Sequence, residues 1–227
     1  MKYKHLKITD TLYPKSLKDT LGKYAPQDLY YIGNIELLKN NGIGFCGSRD
    51  VSQEGIEASK QCSLELIKNN YNIISGYARG VDRIVHLEAL ENSGNTIIVI
   101  PEGIERFRIH SVFKDCWDWN RVLVISQFNP SENWTVYNAM KRNKTIVALS
   151  NAMLVIEAKE KGGTFEAGKA TLRLKKPLFV VEYANKTEYN KGNKFLLDKG
   201  AATLKKSRKT LKPNIDSILL QPLSLFG

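Results

Sequence analysis

Two short segments of this sequence combine glycine, serine and arginine in a way that suits the binding of an anion. The first is Gly47-Ser48-Arg49, and the second is Ser75-Gly76-Tyr77-Ala78-Arg79-Gly80. Each follows an apolar run and precedes a predicted helix, whose first turn has unpaired backbone N–H groups and the positive end of the helix dipole. Glycine lets the backbone approach a ligand closely, and a guanidinium group can pair with two phosphate oxygens. Together these features predict a pair of phosphate-binding turns.

Two further segments carry groups of the same kind. Lys141-Arg142-Asn143-Lys144 lies in a predicted helix, and Lys161-Gly162-Gly163-Thr164 follows the apolar run from Ala152 to Ala158. Taken alone, each of the four segments also fits an ordinary turn or a solvated helix face. Because the carboxyl ends of parallel strands meet at one edge of a sheet, we expect the four to converge on one crevice and bind DNA or phosphate there.

The elements that would position these segments alternate along the chain. Apolar, β-rich runs predict strands at Ile43–Gly47, Asn72–Gly76, Thr96–Pro101, Val122–Gln127, Ala152–Ala158 and Pro177–Glu182. Amphipathic patterns predict helices at Gln53–Asn69, Val81–Ser93, Asn133–Leu149 and Thr164–Lys175. Continuous apolar runs are typical of parallel strands buried on both faces, and the alternation indicates βαβ units. The predicted fold class is therefore α/β, a mainly parallel sheet flanked by helices.

The two ends of the chain fall outside that alternation. Residues 1–40 contain the breakers Tyr13-Pro14 and Ala25-Pro26, which predict an extension with short helices packed on the core. Residues 41–205 then form the main domain. A basic C-terminal tail is predicted at 206–227, either as a solvated tail or as an electrostatic arm for nucleic acid.

The charge balance narrows the choice of partner. The 227 residues include 34 Lys and Arg against 23 Asp and Glu, a formal net charge of +11. Such a balance attracts polyanions, because neutralising phosphates releases counterions, although a lysine-rich proteome would also produce it. Charge alone leaves DNA, RNA and a small phosphorylated ligand open as partners.

The sequence disfavours several other classes of protein. The longest uncharged run, Thr145–Ile156, has 12 residues, against the roughly 20 that a membrane span needs. Cys46, Cys62 and Cys116 form no Cys-x-x-Cys pair, which disfavours a disulfide framework and a zinc site and predicts a reduced, cytoplasmic protein. The turn at residues 75–82 has neither a dinucleotide fingerprint nor a Walker lysine, so we expect no nucleotide or metal cofactor.

Taken in order, the motifs resemble the DprA/Smf family of DNA-processing proteins. The resemblance covers roughly Tyr13 to Ala201, which is most of the chain. The segments that carry it are Tyr13-Pro14, Leu29-Tyr30-Tyr31-Ile32-Gly33-Asn34, Gly47-Ser48-Arg49, Ser75-Gly76-Tyr77-Ala78-Arg79-Gly80-Val81-Asp82, Arg142-Asn143-Lys144-Thr145-Ile146-Val147-Ala148-Leu149-Ser150 and Gly192-Asn193-Lys194-Phe195-Leu196-Leu197. Several spaced matches in the same order make the resemblance specific.

The resemblance implies an extended Rossmann-like domain that binds single-stranded DNA in a positive pocket without catalysing a reaction. It further implies that incoming strands are protected and that a RecA-type recombinase is loaded on them in natural transformation and recombination. A homodimer is implied as the active form. By position, the residues that would line the pocket are Ser48, Arg49, Arg79, Arg142, Asn143 and Lys144.

Two alternatives stay open at this point. Gly162-Gly163-Thr164-Phe165-Glu166 also resembles the motif of the related LOG family, phosphoribohydrolases that release a base from nucleoside monophosphates. Glu166 would then be catalytic, although its spacing from the glycines differs from that family's pattern. The other alternative is a sensor that binds a nucleotide-derived signal in the same crevice. The sequence thus favours single-stranded DNA binding over a nucleotide enzyme or sensor.

Overall fold

The computed structural model describes residues 2–185, 187–205 and 213–220. In this part of the chain one sheet is formed by the strands β1 (Lys4–Lys7), β2 (Asp28–Gly33), β3 (Gly42–Cys46), β4 (Asn72–Ser75), β5 (Thr96–Ile100), β6 (Val122–Ser126), β7 (Ala152–Val155), β8 (Leu178–Val181) and β9 (Ala202–Leu204). The α-helices are α1 (Lys15–Leu21), α2 (Gln53–Lys68), α3 (Val81–Glu91), α4 (Val136–Leu149), α5 (Gly163–Arg173), α6 (Lys191–Asp198) and α7 (Asp216–Leu219).

The strands lie in the order β1-β2-β6-β5-β4-β3-β7-β8-β9. Every neighbouring pair from β6 to β9 is parallel, whereas β2 runs antiparallel to both β1 and β6. Parallel neighbours need a crossover connection, and α2, α3, α5 and α6 supply four of these crossovers, whereas α4 connects β6 to β7 across the intervening strands. The prediction of an α/β fold with a mainly parallel sheet is confirmed.

Helices cover both faces of the sheet. On one face α1, α4 and α6 contribute Leu17, Ile146 and Leu196 to the core. On the other face α2 and α7 contribute Leu66 and Ile218. All residues of β4, β5, β6, β7 and β8 are buried, as expected for strands that lie between two helix layers. Among the described helices none is long and apolar enough to cross a bilayer.

The N-terminal extension is more closely integrated than the sequence predicts. α1 is one of the expected short helices of residues 1–40, but β1 and β2 were not predicted. β2 pairs with β6 from Tyr30 to Gly33, so the extension widens the main sheet. The hydroxyl of Tyr13 donates to the carbonyl of Pro26 at 2.6 Å and helps to fix the connection between α1 and β2. These strands lie near the sheet margin with partly exposed faces, so β1 has one buried residue, Leu6, and the apolar run of β2 spans only Leu29 to Ile32.

The fold also continues beyond the last predicted strand. α6 and β9 follow β8, and the segment at 213–220 places Ile215 and Ile218 in the core. The predicted domain boundary at residue 205 therefore does not separate residues 213–220 from the main domain. The remaining parts of the predicted basic tail, 206–212 and 221–227, lie outside the described residues.

Candidate anion-binding site

The strand order reverses between β3 and β7, which are neighbours although β4 follows β3 in the sequence. Such a switch point leaves a crevice at the carboxyl ends of the two strands, where α/β proteins bind ligands. A cavity of about 440 Å³ occupies this crevice. Its polar lining includes Ser48, Arg49, Asp50, Asp82, Arg142, Asn143, Lys159, Lys161 and Thr164, and its apolar lining includes Phe45, Trp134, Val136, Ala139, Met140, Ile146 and Met153.

The turn after β3 is clamped between the first turns of two helices. The N–H of Val81 donates to the Ser48 carbonyl at 3.2 Å, and the hydroxyl of Thr164 donates to the Gly47 carbonyl at 2.8 Å. A Cβ atom on Gly47 would lie 2.3 Å from the Val81 side chain. Gly47 therefore allows close packing of α3, and the proton of Thr164, predicted as a ligand donor, is already used within the protein.

Two further glycines near the crevice, Gly42 and Gly44, also serve close packing. The spacing Gly42-x-Gly44-x-x-Gly47 has the letters of a dinucleotide fingerprint. Gly42 and Gly44, however, lie inside β3, and Cβ atoms there would meet Ile74 at 2.5 Å and Met153 at 2.1 Å. These two glycines therefore permit close packing around β3 and do not form a phosphate-binding turn.

Ser48 and Arg49 both line the cavity, but only the Arg49 side chain is available to a ligand. The hydroxyl of Ser48 donates to the Asp50 carbonyl at 2.6 Å and accepts from the Asp50 N–H at 3.2 Å. That hydroxyl therefore shapes the turn and has no second proton to offer a ligand. Arg49, by contrast, is exposed and makes no ion pair with the described residues. Its guanidinium group can turn toward a ligand.

Arg142 is the unusual residue of the site. It is 7% exposed, and its Nε atom has no hydrogen-bond partner within the described part of the chain. Burial lowers the pKa of its guanidinium group, while the charges of Asp82 and Glu102 favour the protonated form and Arg49 opposes it. A Cβ atom on Gly76 would lie 1.8 Å from Nη1 of Arg142, so the glycine makes room for this side chain. The result is a buried cation that faces a cavity.

A buried polar network fixes the turn after β4, against which the Arg142 side chain packs. The Ser75 hydroxyl is 2.8 Å from both the Phe45 carbonyl and Oδ1 of Asp82, and the Ala78 N–H donates to Oδ2 of Asp82 at 3.2 Å. The ring nitrogens of His86 lie 2.6 Å from the Gly76 carbonyl and 2.6 Å from Oγ1 of Thr96. Ser75 thus supports the site from beneath and does not contact the cavity.

His86 should make the protein sensitive to mild acid. Burial lowers its pKa from 6.5 to about 4, against the opposing effects of the Gly76 carbonyl and Asp82. Below pH 6.5 the His86 imidazole is protonated in the unfolded chain but stays neutral in the folded protein. The free energy of unfolding therefore falls as the pH drops toward 4. We expect the free energy of unfolding, measured in urea, to be about 2 kcal/mol lower at pH 5 than at pH 7 because of this group alone.

The measurement compares His86→Gln with His110→Gln, a change at an exposed histidine. His86→Gln should lose most of the difference between pH 5 and pH 7, and His110→Gln should retain it. An unchanged pH dependence in His86→Gln would show that another group carries the acid sensitivity.

Of the remaining predicted residues, some line the cavity and others lie outside its lining. Arg79 is exposed and forms an ion pair with Asp50, which is itself a lining residue. Gly80 packs against the backbone of Ser48 and Arg49. Gly163 and Lys161 line the cavity, whereas Gly162 does not. Lys144 is exposed on α4 and is not a lining residue, because it is two positions from Arg142 and a helix turns about 200° over that distance.

Lys159 and Trp134 line the cavity and belong to none of the four predicted segments. Lys159 lies two positions before Lys161 in the turn after β7, and its charge could have been counted with that motif. Trp134 precedes α4 and is 48% exposed, which is unusual for a large aromatic side chain. No spacing in the sequence marks Trp134, because the loop that carries it reaches the cavity only through the packing of α4.

The arrangement does not favour the enzyme alternative. Glu166 is not a lining residue, and it forms an ion pair with Lys169 at 2.5 Å. Cys46 does line the cavity, but burial raises the pKa of its thiol, which therefore stays protonated. Among the described residues, no group of three His, Cys, Asp or Glu side chains is placed to hold a metal ion.

The sheet topology and the cavity define a class of protein. This is a Rossmann-like α/β protein whose switch-point cavity is lined by Arg49, Arg142, Lys159 and Lys161 and is suited to an anionic ligand. A family model described as DNA recombination-mediator protein A matches residues 4–214. The chain belongs to this family, the DprA/Smf proteins, as the sequence motifs predicted.

Comparison with individual relatives agrees with that assignment. The DNA processing protein DprA of Streptococcus pneumoniae is 29% identical over 202 residues, with 88% of this chain and 70% of the relative covered. Protein Smf of Synechocystis is 26% identical, and this chain spans 50% of its length. The family's fold is thus retained at low identity, in a chain shorter than either of these relatives.

Solved structures match over most of this chain. The crystal structure of the S. pneumoniae protein superposes with a TM-score of 0.79 at 29% identity, covering 89% of this chain and 71% of that one. DNA processing protein A of Helicobacter pylori, whose structure addresses its single-stranded DNA binding mode, gives a TM-score of 0.77 at 26% identity. That match covers 89% of this chain and 91% of the other.

Proposed function

We propose that this protein binds single-stranded DNA, with backbone phosphates in the cavity between β3 and β7. The observation that carries the proposal is the buried guanidinium group of Arg142. A buried charge is costly unless it is paired, and Arg142 has Asp82 and Glu102 nearby but no ion pair within the described residues. A phosphate group would supply the missing partner, and Arg49, Lys159 and Lys161 would add to its binding.

The shape and lining of the cavity support an unpaired strand as ligand. Its volume of about 440 Å³ accommodates one nucleotide unit but not a duplex. Exposed Trp134 and the neighbouring Val136 and Met140 offer apolar surface on which an unpaired base can pack. In a duplex the bases are stacked and paired, so this surface would gain nothing from them.

The charge of the whole chain supports a polymer over a small anion. A net charge of +11 exceeds what one nucleotide needs and attracts a strand of phosphates over a distance. We extend the proposal to protection of the bound strand and to loading of a RecA-type recombinase by a homodimer. This part rests on membership of the DNA recombination-mediator protein A family.

The test is a titration of a labelled oligonucleotide at several salt concentrations, with mononucleotides and a duplex in parallel. If four cations each neutralise one phosphate, the log–log slope of affinity against salt should be about −3, at roughly 0.7 per contact. Mononucleotides and duplex should bind far more weakly. Binding of a mononucleotide as tightly as the oligonucleotide would instead support a nucleotide sensor.

A further inference from the structure

A second cationic surface lies beside the cavity, on the segment that follows β5. It comprises Arg83 on α3 together with Arg106, Arg108 and His110, and we refer to it as the arginine strip. Arg106, Arg108 and His110 are exposed, and Arg83 is half-buried. None of these residues lines the cavity, so the cavity does not explain the charge of this surface.

The arginine strip is held in place by an aromatic cluster. The N–H of His110 donates to the Tyr77 hydroxyl at 2.9 Å. The Tyr77 ring lies 5.2 Å from the Phe107 ring and 5.6 Å from the Phe113 ring, measured between centroids. Tyr77 belongs to the same turn as Arg79. The cluster therefore ties the segment that carries the strip to one of the turns that build the cavity.

The charges of the strip are not neutralised by the described residues. None of its three arginines forms an ion pair there. Arg108 Nη1 donates only to the backbone carbonyls of Glu105 and Phe107, each at 2.7 Å. Arg83 Nη1 is 3.1 Å from Nε2 of His110, and its buried Nε has no hydrogen-bond partner. Glu105 precedes Arg106 and is exposed, and residues 106–110 include no acidic residue.

The strip continues the cationic lining of the cavity. Arg79 pairs with the lining residue Asp50, and Arg83 follows Arg79 by four residues at the start of α3. Contacts then lead from Arg83 to His110 and along the segment to Arg108. Exposed Ile109 and Val112 lie beside Arg108 and His110 in this segment, with 37% and 46% exposure. Arginines interspersed with apolar side chains suit a strand whose phosphates and bases both face the protein.

We infer that single-stranded DNA leaves the cavity past Arg79 and runs along the arginine strip, which is a second, separate binding segment for the same strand. This inference rests on the proposed function. It adds a path for the strand and a length dependence: an oligonucleotide of about 5 nucleotides would place one unit in the cavity and its other phosphates against the cations around it, whereas one of about 20 would also reach the strip. An acidic protein that bound the strip would not require the strip to be continuous with the cavity. The continuity therefore favours DNA as the ligand.

The experiment removes two charges from the strip and two from elsewhere. Arg106→Gln with Arg108→Gln alters the strip at exposed positions, and Lys15→Gln with Lys23→Gln alters exposed lysines near α1, on the other side of the sheet. Both double variants lose the same net charge. Affinities for oligonucleotides of about 5 and about 20 nucleotides are measured against salt for each protein.

The strip variant should bind the long oligonucleotide roughly tenfold more weakly, with a log–log salt slope less negative by about 1.4, and should bind the short one as the wild type does. The lysine variant should change both affinities little. Equal effects of the two double variants on the long oligonucleotide would overturn the path while leaving the cavity proposal intact. Failure of the wild type to bind either oligonucleotide would overturn both.

Discussion

Replacing Arg142 with methionine is expected to weaken binding of a single-stranded oligonucleotide by about 100-fold, because two charge-assisted hydrogen bonds to phosphate would be lost. The folded state should change in stability by less than about 1 kcal/mol. Methionine fills a similar space without the cost of burying a charge. Asp82 keeps its hydrogen bonds to Ser75 and Ala78, and Glu102, whose pKa burial already raises, can take up a proton.

The matched control for this prediction is Lys141→Met. Lys141 is the preceding residue on α4, has the same charge and is exposed. Oligonucleotide titration and urea unfolding of both variants separate a site effect from a loss of net charge. If Arg142→Met bound no more weakly than Lys141→Met, the cavity would not be the binding site for phosphate.

The second large effect concerns stability and falls on Gly80. We expect Gly80→Ala to cost about 3 to 4 kcal/mol of unfolding free energy, measured in urea. Gly80 has a φ of +84°, which side-chain-bearing residues rarely adopt, and a Cβ atom would lie 2.2 Å from the backbone oxygen of Ser48. That oxygen accepts the hydrogen bond from Val81 and cannot move without disturbing the start of α3.

Gly162 offers a control that also has a positive φ but has open space around it. It also precedes a helix and has a φ of +115°, but a Cβ atom there would meet no atom within 4 Å. Gly162→Ala should therefore show the backbone strain alone, about 1 to 2 kcal/mol. The difference between the two variants measures the clash with Ser48. Equal losses would mean that the turn after β3 moves aside easily, against the clamped geometry described above.

The presence of the inner strands and the convergence of the motifs could be predicted from the sequence, whereas the order of the strands in the sheet was not predicted. Strands such as Thr96–Ile100 and Val122–Ser126 are continuous apolar runs, which only a fully buried environment tolerates. Each polar motif directly follows such a run or lies in a crossover helix. Parallel strands present their carboxyl ends together, so a crevice beside Arg49 follows from the alternation of strands and helices, whereas the packing of α4 places Arg142 in it.

The outer parts of the fold were less predictable for a physical reason. β1, β2 and β9 lie at or near the margins of the sheet, where part of each strand faces solvent and polar residues are tolerated. The sequences of β1 and β9 therefore carry no continuous apolar run, and the apolar run of β2 spans only Leu29 to Ile32. Their pairing depends on the neighbouring strand, which local periodicity does not describe.

The amino-acid sequence by itself determined the fold class, the family and the types of polar side chain near the crevice, because local patterns carry the signals of burial and strand direction. Only the tertiary structure decided which cations line the cavity. Helix geometry buries Arg142 and turns Lys144 away, and an ion pair holds Arg79 beside Asp50. The packing of distant segments brings Trp134 to the cavity and the strip beside it. These outcomes depend on side-chain direction and long-range contacts, which residue spacing alone does not fix.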